Sequence, residues 1–307
     1  MPKRFYSHGK LLISGEYLVL DGALSLALPS RFGQSLIVEE FKENLIQWTS
    51  IDNKGDYWFE TTFKFINGKI ELKDDDESQI SKTLFKILTE AQKLNPKFLK
   101  TERGLKVTTT LEFPQDWGLG SSSTLINNIA NWANVDAFKL LWNAFSGSGY
   151  DIACAQNDTP ITYQLKNDIP HVEKTPFNPL FKDQLYFVHL NKKQNSREGI
   201  AHYKKYSGDK TKIINEVSDL TNSIIASKDL GAFEKLINVH EDLISSIIQR
   251  PKVKDLFFTD FPGSIKSLGA WGGDFILATG GENTLSYFKS KGYETVVSYN
   301  EMILNQK

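Results

Sequence analysis

The sequence predicts an α+β protein with two lobes. The first half mixes strand-like alternation with helical periodicity, whereas the second half is mostly helical with a few short strands. Hydrophobic residues make up 40% of the 307 residues, which is enough to fill a sizeable core. A domain averages about 150 residues. We therefore expect two domains, one over 1–165 and the other over 166–307.

The first half begins with segments of β-type composition. Strands are predicted at 10–14, 17–20, 34–49 and 57–66. Apolar residues then recur at helical spacing from Ile80 to Ala91, after an acidic cluster at 74–77. Acids favour the start of a helix because of its dipole, so a solvated helix start explains this cluster better than a metal site does. Clean alternation from Leu105 to Phe113 predicts one more strand, which ends at Pro114.

The remaining elements follow a serine-rich segment, GLGSSST at 118–124. An apolar periodic run after this segment predicts a helix to about Ala133. Further elements are then predicted in order: a helix at 135–146, strands at 161–165 and 185–190, helices at 213–224 and 236–247, a glycine-rich segment at 269–274, a strand at 275–278, and a final helix and strand.

The charge balance excludes a broad binding surface for polyanions. The chain carries 36 Lys and Arg against 37 Asp and Glu, a formal net charge of −1. Proteins that coat nucleic acid or anionic membranes carry a basic excess, so neither partner is expected. We find no signal-peptide pattern and no apolar run long enough for a membrane span, and we expect a cytoplasmic protein. The single cysteine, Cys154, excludes an internal disulfide, and its small apolar neighbours predict a packed thiol.

The strongest chemical signal is the segment GLGSSST between a predicted strand and a predicted helix. Glycines let the backbone approach a ligand, and the first turn of a helix has unpaired N–H groups that suit phosphate. The hydroxyls of Ser121, Ser122, Ser123 and Thr124 add donors, and one of them is a candidate Mg²⁺ ligand. A Walker A loop is excluded because its lysine is absent. The alternative is an ordinary serine cap after a glycine turn.

Two more glycine-rich elements favour phosphate binding over simple turns. Lys10 is followed by Gly15-Glu16-Tyr17 and Asp21-Gly22, and Lys266 is followed by GAWGGD at 269–274. Either element alone predicts only a turn. The three elements together, two of them with a lysine nearby, are difficult to explain as turns.

These elements resemble, in order, the three motifs of the GHMP kinase superfamily. The first motif is similar to GKLLISGEYLVLDG at 9–22, and the second, P-x3-GLGSSAA, is similar to 114–124. The third, K-x-x-GAGxGG, is similar to KSLGAWGGD at 266–274. The resemblance spans 7–280. In addition, GSGYDIACA at 147–155 is similar to the GSGxD segment of phosphomevalonate kinases and to the signature of a small bacterial branch, the GYDIA group.

The resemblance implies a two-lobed fold, with an amino-terminal domain like ribosomal protein S5 and a ferredoxin-like carboxyl-terminal domain. It implies ATP and Mg²⁺ as cofactors. Asp151 would be the base that orients or deprotonates the acceptor, paired with Lys10, which would stabilise the transferred group. The implied nucleotide-binding residues are Gly118, Leu119, Gly120, Ser121, Ser122, Ser123, Gly269, Ala270 and Gly272, with Ser122 on the metal. The implied acceptor-binding residues are His8, Glu16, Ser148, Gly149 and Lys193.

Several of these assignments have alternatives. Glu16 fits a role in shaping the first motif better than a role in chemistry. The run that contains Lys192, Lys193 and Arg197 fits a solvated charge cluster better than a phosphate site. Asp274 is a candidate cap for its own loop. None of the five histidines has metal-ligand spacing.

The sequence also departs from the family pattern. Ser123-Thr124 stand where Ala-Ala is usual, and Trp271 replaces a glycine of the third motif, where we expect it to crowd a ligand pocket. Leu140 stands where mevalonate kinases carry a Mg²⁺-binding glutamate, which favours phosphomevalonate as the acceptor.

The resemblance therefore implies an ATP-dependent kinase that acts on phosphomevalonate or mevalonate. The alternatives are a decarboxylase of the diphosphomevalonate type, a homoserine or sugar kinase, and a non-catalytic relative that only binds a ligand. The expected partner is a small-molecule acceptor with a hydroxyl or phosphate group. We expect a monomer or a homodimer.

Overall fold

The computed structural model describes residues 1–66, 69–72, 78–100, 103–193 and 196–304, without the side chains of 196 and 197. The chain forms two compact units. Unit 1 comprises Met1–Gly9, Phe32–Gln115 and Gly120–Gln156, and unit 2 comprises Lys10–Arg31, Asp116–Leu119 and Asn157–Lys307. Both units thus draw on separate stretches of sequence. The division into domains at residue 165, expected from the sequence, stays a prediction.

The described residues contain twelve strands and ten α-helices. The strands are β1 (Lys3–Ser14), β2 (Ser25–Phe41), β3 (Leu45–Ile51), β4 (Tyr57–Ile66), β5 (Lys69–Leu72), β6 (Gly104–Leu111), β7 (Ile161–Lys166), β8 (Ile169–Lys174), β9 (Leu185–His189), β10 (Ile265–Ser267), β11 (Phe275–Thr279) and β12 (Val296–Ser298). The helices are α1 (Gln79–Leu94), α2 (Ser121–Ala133), α3 (Ala137–Ala144), α4 (Tyr150–Ala155), α5 (Ser196–Lys204), α6 (Lys210–Ala226), α7 (Leu230–Ile248), α8 (Val253–Phe257), α9 (Asn283–Ser290) and α10 (Tyr299–Met302).

Unit 1 is a mixed sheet covered by helices. Its strands lie in the order β5-β4-β3-β6-β2, with β3 parallel to β6 and the other neighbours antiparallel. Alternation along β3 and β6 turns Trp48 and Val107 inward, and they share one hydrophobic core with Leu88 of α1 and Ile129 of α2. Leu140 of α3 is also fully buried in this core. The position where mevalonate kinases would place an acidic metal ligand is therefore a packing position here.

Unit 2 contains a second, smaller sheet. Its four strands are all antiparallel, in the order β10-β11-β9-β12. The unit also holds the amino-terminal residues of β2, which pair with β7, and β7 pairs with β8. Helices α6 and α7 pack their apolar faces around Val217 and Ile244. The predicted α+β class is confirmed, with strands spread over both units.

One predicted strand is wrong. Instead of a strand at 17–20, a 3₁₀ helix runs over Leu18–Asp21. It follows Tyr17, at φ 61°, and ends at Gly22, at φ 89°. The N–H of Val19 donates to the carbonyl of Gly15, which closes the turn. Leu18 and Val19 are apolar because they enter the core, and a run of four such residues does not distinguish a strand from a helical turn.

No prediction was made from the sequence for β5, β8, β10, α4, α5, α8 or α10, all of which are short or polar. The acidic cluster at 74–77 lies outside the described residues, and α1 begins after Ser78, whose hydroxyl accepts from the N–H of Ile80. No helix among the described residues is long and apolar enough to cross a membrane.

Candidate functional site

The serine-rich segment starts α2 in unit 1, as predicted. Gly120 adopts a left-handed conformation (φ 88°) directly before the helix, and the N–H of Thr124 donates to its carbonyl. The hydroxyl of Ser123 also donates to that carbonyl at 2.8 Å. Thr124 Oγ1 donates to Gln34 Oε1 at 2.7 Å. Both hydroxyls are therefore used inside the protein.

The first turn of α2 nevertheless keeps features that suit an anion. Ser121 is partly exposed and Ser122 is exposed. They are the first two residues of a helix of 13 residues, at the end where the unpaired N–H groups and the helix dipole favour negative charge. Ser121 and Ser122 are therefore better placed than Ser123 and Thr124 to bind phosphate or a metal ion.

Asp151 lies in the first turn of α4, also in unit 1. The helix begins after Gly149, which is left-handed at φ 89°, and Asp151 Oδ1 accepts from the N–H of Ile152 at 3.1 Å. Asp151 is partly buried, and Ser148 and Gly149 before it are buried. Cys154 is fully buried in the same helix, which confirms the predicted packed thiol.

His8 lies on the part of β1 that belongs to unit 1. Its ring meets Tyr6 edge-on, with 5.1 Å between centroids. The hydroxyl of Tyr6 donates to Glu112 Oε2 at 2.6 Å. This places His8 beside a tyrosine whose hydroxyl is hydrogen-bonded to a carboxylate. A contact between His8 and an acceptor stays a prediction.

In unit 2, residues of all three motif-like elements meet. The N–H of Lys10 donates to the carbonyl of Leu119 at 2.9 Å, and Lys10 Nζ donates to the carbonyl of Gly118 at 2.8 Å. A Cβ placed on Gly118 would lie 2.5 Å from the carboxylate of Asp274. Lys10, the 118–119 backbone and Asp274 are thus neighbours, although they are far apart in sequence.

The third glycine-rich element is a loop with three left-handed residues, Gly269 (φ 64°), Gly272 (φ 84°) and Asp274 (φ 52°). A Cβ on Gly269 or Gly272 would meet no other atom of the protein within 4 Å. These two glycines therefore border open space, and their bare backbone would let a ligand approach closely. The N–H of Asp274 donates to the carbonyl of Lys192, which anchors the end of the loop.

Trp271 points away from that open space. Its side chain is 2% exposed and packs with Tyr17, Tyr203 and Val217. The indole Nε1 donates to the carbonyl of Pro251, and the backbone N–H donates to the hydroxyl of Tyr17 at 3.0 Å. The expectation that Trp271 crowds a ligand pocket is wrong, because the indole fills the core of unit 2 instead.

Unit 2 also contains a buried cluster of charged residues, which contacts the first and third glycine-rich elements. We define it as Glu16, His240, Glu241 and Lys266, all at most 1% exposed. Lys266 Nζ donates to Glu16 Oε1 and to the carbonyl of Ser267 at 3.0 Å, and it lies 3.8 Å from Glu241 Oε1. Direct contact between Glu16 and an acceptor would require its carboxylate to leave Lys266. The geometry thus favours the alternative in which Glu16 shapes the first motif.

Burial dominates the protonation of this cluster. Loss of solvation raises the pKa of Glu16, even though Lys266 opposes the change. Burial also raises the pKa of Glu241 to about 8, again against the effect of Lys266. His240 Nε2 accepts from the N–H of Gly15 at 3.1 Å. Burial and the charge of Lys266 hold the pKa of His240 well below its usual range, so the ring is neutral.

Of the cations proposed for a phosphorylated acceptor, Lys192 contacts this arrangement through its backbone, because its carbonyl accepts from the N–H of Asp274. Lys192 and Lys193 are exposed after β9, and the side chain of Arg197 lies outside the described residues. No group of three or more His, Cys, Asp or Glu among the described side chains is placed to hold a metal ion. A cavity of about 570 Å³ in unit 1, with Phe98 and Trp132 in its wall, contains none of the predicted site residues.

Two members of the buried charge cluster, His240 and Glu241, could not be recognised as site residues from the sequence. His240 and Glu241 lie in an ordinary amphipathic helix, α7, outside every motif. Tyr17 and Lys266 are within motif-like segments, but their partners are 254 and 250 residues away along the chain. Only the fold brings these pairs together.

Similar solved structures include small-molecule kinases. The mevalonate kinase of Methanococcus jannaschii matches with a TM-score of 0.68 at 15% identity, over 96% of this chain and 96% of that one. Streptococcus pneumoniae phosphomevalonate kinase in complex with phosphomevalonate and AMPPNP has a TM-score of 0.68 at 14% identity, over 94% and 95% of the two chains. Lactococcus lactis galactokinase with galactose has a TM-score of 0.67 at 14% identity, over 94% and 88%.

No protein-family profile matches the sequence, and no curated protein matches it. The structural matches cover nearly the whole chain, so the chain has the GHMP kinase fold, as the motifs led us to expect. At these identities the similarity establishes the fold. Activity and acceptor are questions for the site and for experiment.

Proposed function

We propose that the protein is an ATP-dependent phosphotransferase of the GHMP type, acting on phosphomevalonate or mevalonate. The observation that carries the proposal is the meeting of Lys10 with the carbonyl of Gly118, next to Asp274, because it joins residues of three motif-like elements in one unit. In this proposal the protein works in the cytoplasm on a small-molecule acceptor. The similar phosphomevalonate kinase structure, solved with phosphomevalonate and AMPPNP, supports the choice of acceptor and nucleotide.

Each unit contains residues that suit a nucleotide. In unit 1, the first turn of α2 offers helix N–H groups and the hydroxyls of Ser121 and Ser122. In unit 2, Gly269 and Gly272 border open space, where their bare backbone would let a ligand approach. Ser122 is the residue that would hold Mg²⁺, since its hydroxyl is exposed at the start of the helix. When bound, Mg·ATP supplies the phosphoryl group and neutralises part of its charge.

Residues of the chain then take up the acceptor's proton and neutralise charge on the transferred phosphoryl group. Asp151 accepts the proton of an acceptor hydroxyl as the oxygen bonds to phosphorus and the bond to the leaving ADP breaks. With a phosphate acceptor that is already ionised, no proton has to be removed and Asp151 has no role as a base. Lys10, held beside the 118–119 backbone by its bond to Gly118, stabilises negative charge that develops on the transferred group.

The test is binding followed by turnover. Calorimetry with Mg·ATP measures nucleotide binding, and a coupled assay measures ADP release with phosphomevalonate, mevalonate, homoserine and galactose. We expect binding of Mg·ATP and release of ADP with a mevalonate-type acceptor. Turnover with only homoserine or galactose would show that the protein is a homoserine or sugar kinase. Release of carbon dioxide would show that it is a decarboxylase of the diphosphomevalonate type. Binding without turnover, unaffected by Asp151→Asn, would indicate a non-catalytic relative.

A further inference from the structure

We propose that Glu241 and His240, adjacent on α7, are positioning residues that hold the third and first glycine-rich elements in their ligand-binding shapes. Neither residue belongs to a motif. The inference rests on the proposed function, because that function assigns the two elements to the nucleotide and its surroundings.

Glu241 fixes the start of the third loop. One carboxyl oxygen accepts from the N–H of Ser267 at 3.0 Å, and the other lies 3.2 Å from the hydroxyl of the same residue. Ser267 is two residues before Gly269, the first left-handed position of the loop. Two bonds from one carboxyl to one residue set the direction in which the backbone leaves β10.

His240 fixes the first element in a corresponding way. Its Nε2 accepts from the N–H of Gly15, which is left-handed at φ 92°. The next residue, Glu16, pairs with Lys266, and Lys266 also donates to the carbonyl of Ser267. One helix thus holds both elements, and Lys266 joins them to each other.

The third loop needs such anchors because it makes few contacts on its open side. Gly269 and Gly272 would meet nothing there even with a Cβ added. Its anchors include Ser267 at the start, the backbone N–H and the indole of Trp271 in the middle, and the N–H of Asp274 on Lys192 at the end. Burying charge is a poor way to gain stability, whereas it can select one conformation. A cluster of two carboxyls and one lysine in the core therefore fits a positioning role.

The decisive comparison uses two glutamates of the same helix. Glu234 of α7 accepts from the hydroxyl of Thr279, so Glu234→Ala removes a similar carboxyl at a distance from both glycine-rich elements. Hydrogen exchange of the full chain, read by mass spectrometry without ligand, reports the mobility of 15–22 and 266–274. Calorimetry with Mg·ATP and steady-state turnover report the consequence for binding and for kcat.

We expect Glu241→Ala to speed exchange across 266–274 and to weaken Mg·ATP binding, each by about tenfold or more, because the buried N–H and hydroxyl of Ser267 lose their partner. The kcat at saturating ATP should change less than the affinity. His240→Ala should act in the same way on 15–22, and Glu234→Ala should leave both segments as in the wild type. Glu241→Gln keeps both bonds to Ser267 and should behave as the wild type near neutral pH.

Exchange across 266–274 that is no faster in Glu241→Ala than in Glu234→Ala would overturn the inference. If Glu241→Ala does not fold, Glu241→Asp takes its place, because its shorter side chain does not reach Ser267, and the same outcomes apply. A wild-type protein that binds no Mg·ATP would overturn the proposed function alone. The exchange comparison would still decide whether the pair on α7 holds the two elements.

Discussion

The ammonium group of Lys10 donates a hydrogen bond to the carbonyl of Gly118 at 2.8 Å, which joins the first strand of unit 2 to the backbone before α2. The carboxylate of Asp274 occupies the space where a side chain on Gly118 would begin. Each of the three residues is at least 108 positions from the other two in sequence, yet they define one local arrangement. Its geometry leads to the first prediction.

Gly118→Ala should damage nucleotide binding. The new methyl group would lie 2.5 Å from the carboxylate of Asp274, and the position is left-handed at φ 65°. A non-glycine residue there costs about 1–2 kcal/mol in backbone strain alone. We expect Mg·ATP affinity, measured by calorimetry, to fall by about tenfold or more. Gly231→Ala is the matched control, since its methyl group would make only ordinary contact, and it should bind as the wild type does. Equal affinities for both variants would contradict the arrangement.

Asp151→Asn should remove catalysis and spare nucleotide binding. The amide has nearly the same shape but cannot accept a proton, so kcat with a hydroxyl acceptor should fall by about 10²–10⁴-fold. Asp168→Asn is the control, because Asp168 is exposed and asparagine tolerates its φ of 60°. The measurement is ADP release at saturating substrates. If both variants keep full turnover, Asp151 is not the base.

Glu241→Gln should make the protein more resistant to high pH. Burial raises the folded-state pKa of Glu241 from 4.5 to about 8, opposed by Lys266 and reinforced by Glu16. The stabilising contribution of the protonated form is fully present below 4.5 and is lost as the pH rises through about 8. The wild type should therefore lose thermal stability relative to Glu241→Gln between about pH 5 and pH 8.

The measurement is the difference in Tm between the two proteins at several pH values. His240 and Glu16 titrate in both proteins, so most of their contribution cancels in that difference. A Tm difference that stays constant between about pH 5 and pH 8 would show that folding does not raise the pKa of Glu241.

Salt should weaken nucleotide binding only modestly. The chain has a net charge of −1, so an anionic ligand is held by local groups and not by a broad basic surface. Between about 50 and about 200 mM KCl we expect the affinity for Mg·ATP to fall by less than about threefold, whereas proteins with many phosphate contacts lose about 10³-fold. A steep dependence, measured by calorimetry at several salt concentrations, would point to a wider basic surface.

Much of the fold could be predicted because long periodic segments carry their own signal. The helix after GLGSSST and the strand that begins near Leu105 follow from spacing alone, and both are confirmed. The 3₁₀ helix at Leu18–Asp21 could not be predicted as such, because a run of four largely apolar residues at 17–20 suits a strand equally well.

Candidate site residues could be named where they fall in contiguous motif-like segments. The resemblance assigned Lys10 and Gly118 to the site and placed Asp274 at the end of the third motif, and the fold brings these three residues together. Glu241 and His240 could not be found in this way. They act through partners in distant segments, and a glutamate on an amphipathic helix gives no sign that its carboxyl is buried. The orientation of Trp271 was mispredicted for a related reason, since its neighbours come from α6 and the 3₁₀ segment.

The central claim, transfer of a phosphoryl group from ATP to a mevalonate-type acceptor, is tested most directly by ³¹P NMR of the purified protein with Mg·ATP and phosphomevalonate or mevalonate. We predict that ADP and a newly phosphorylated acceptor appear together in equal amounts, and that with mevalonate both appear about 10²–10⁴-fold more slowly in Asp151→Asn. Unchanged ATP, or ADP that appears only with inorganic phosphate, would contradict the claim.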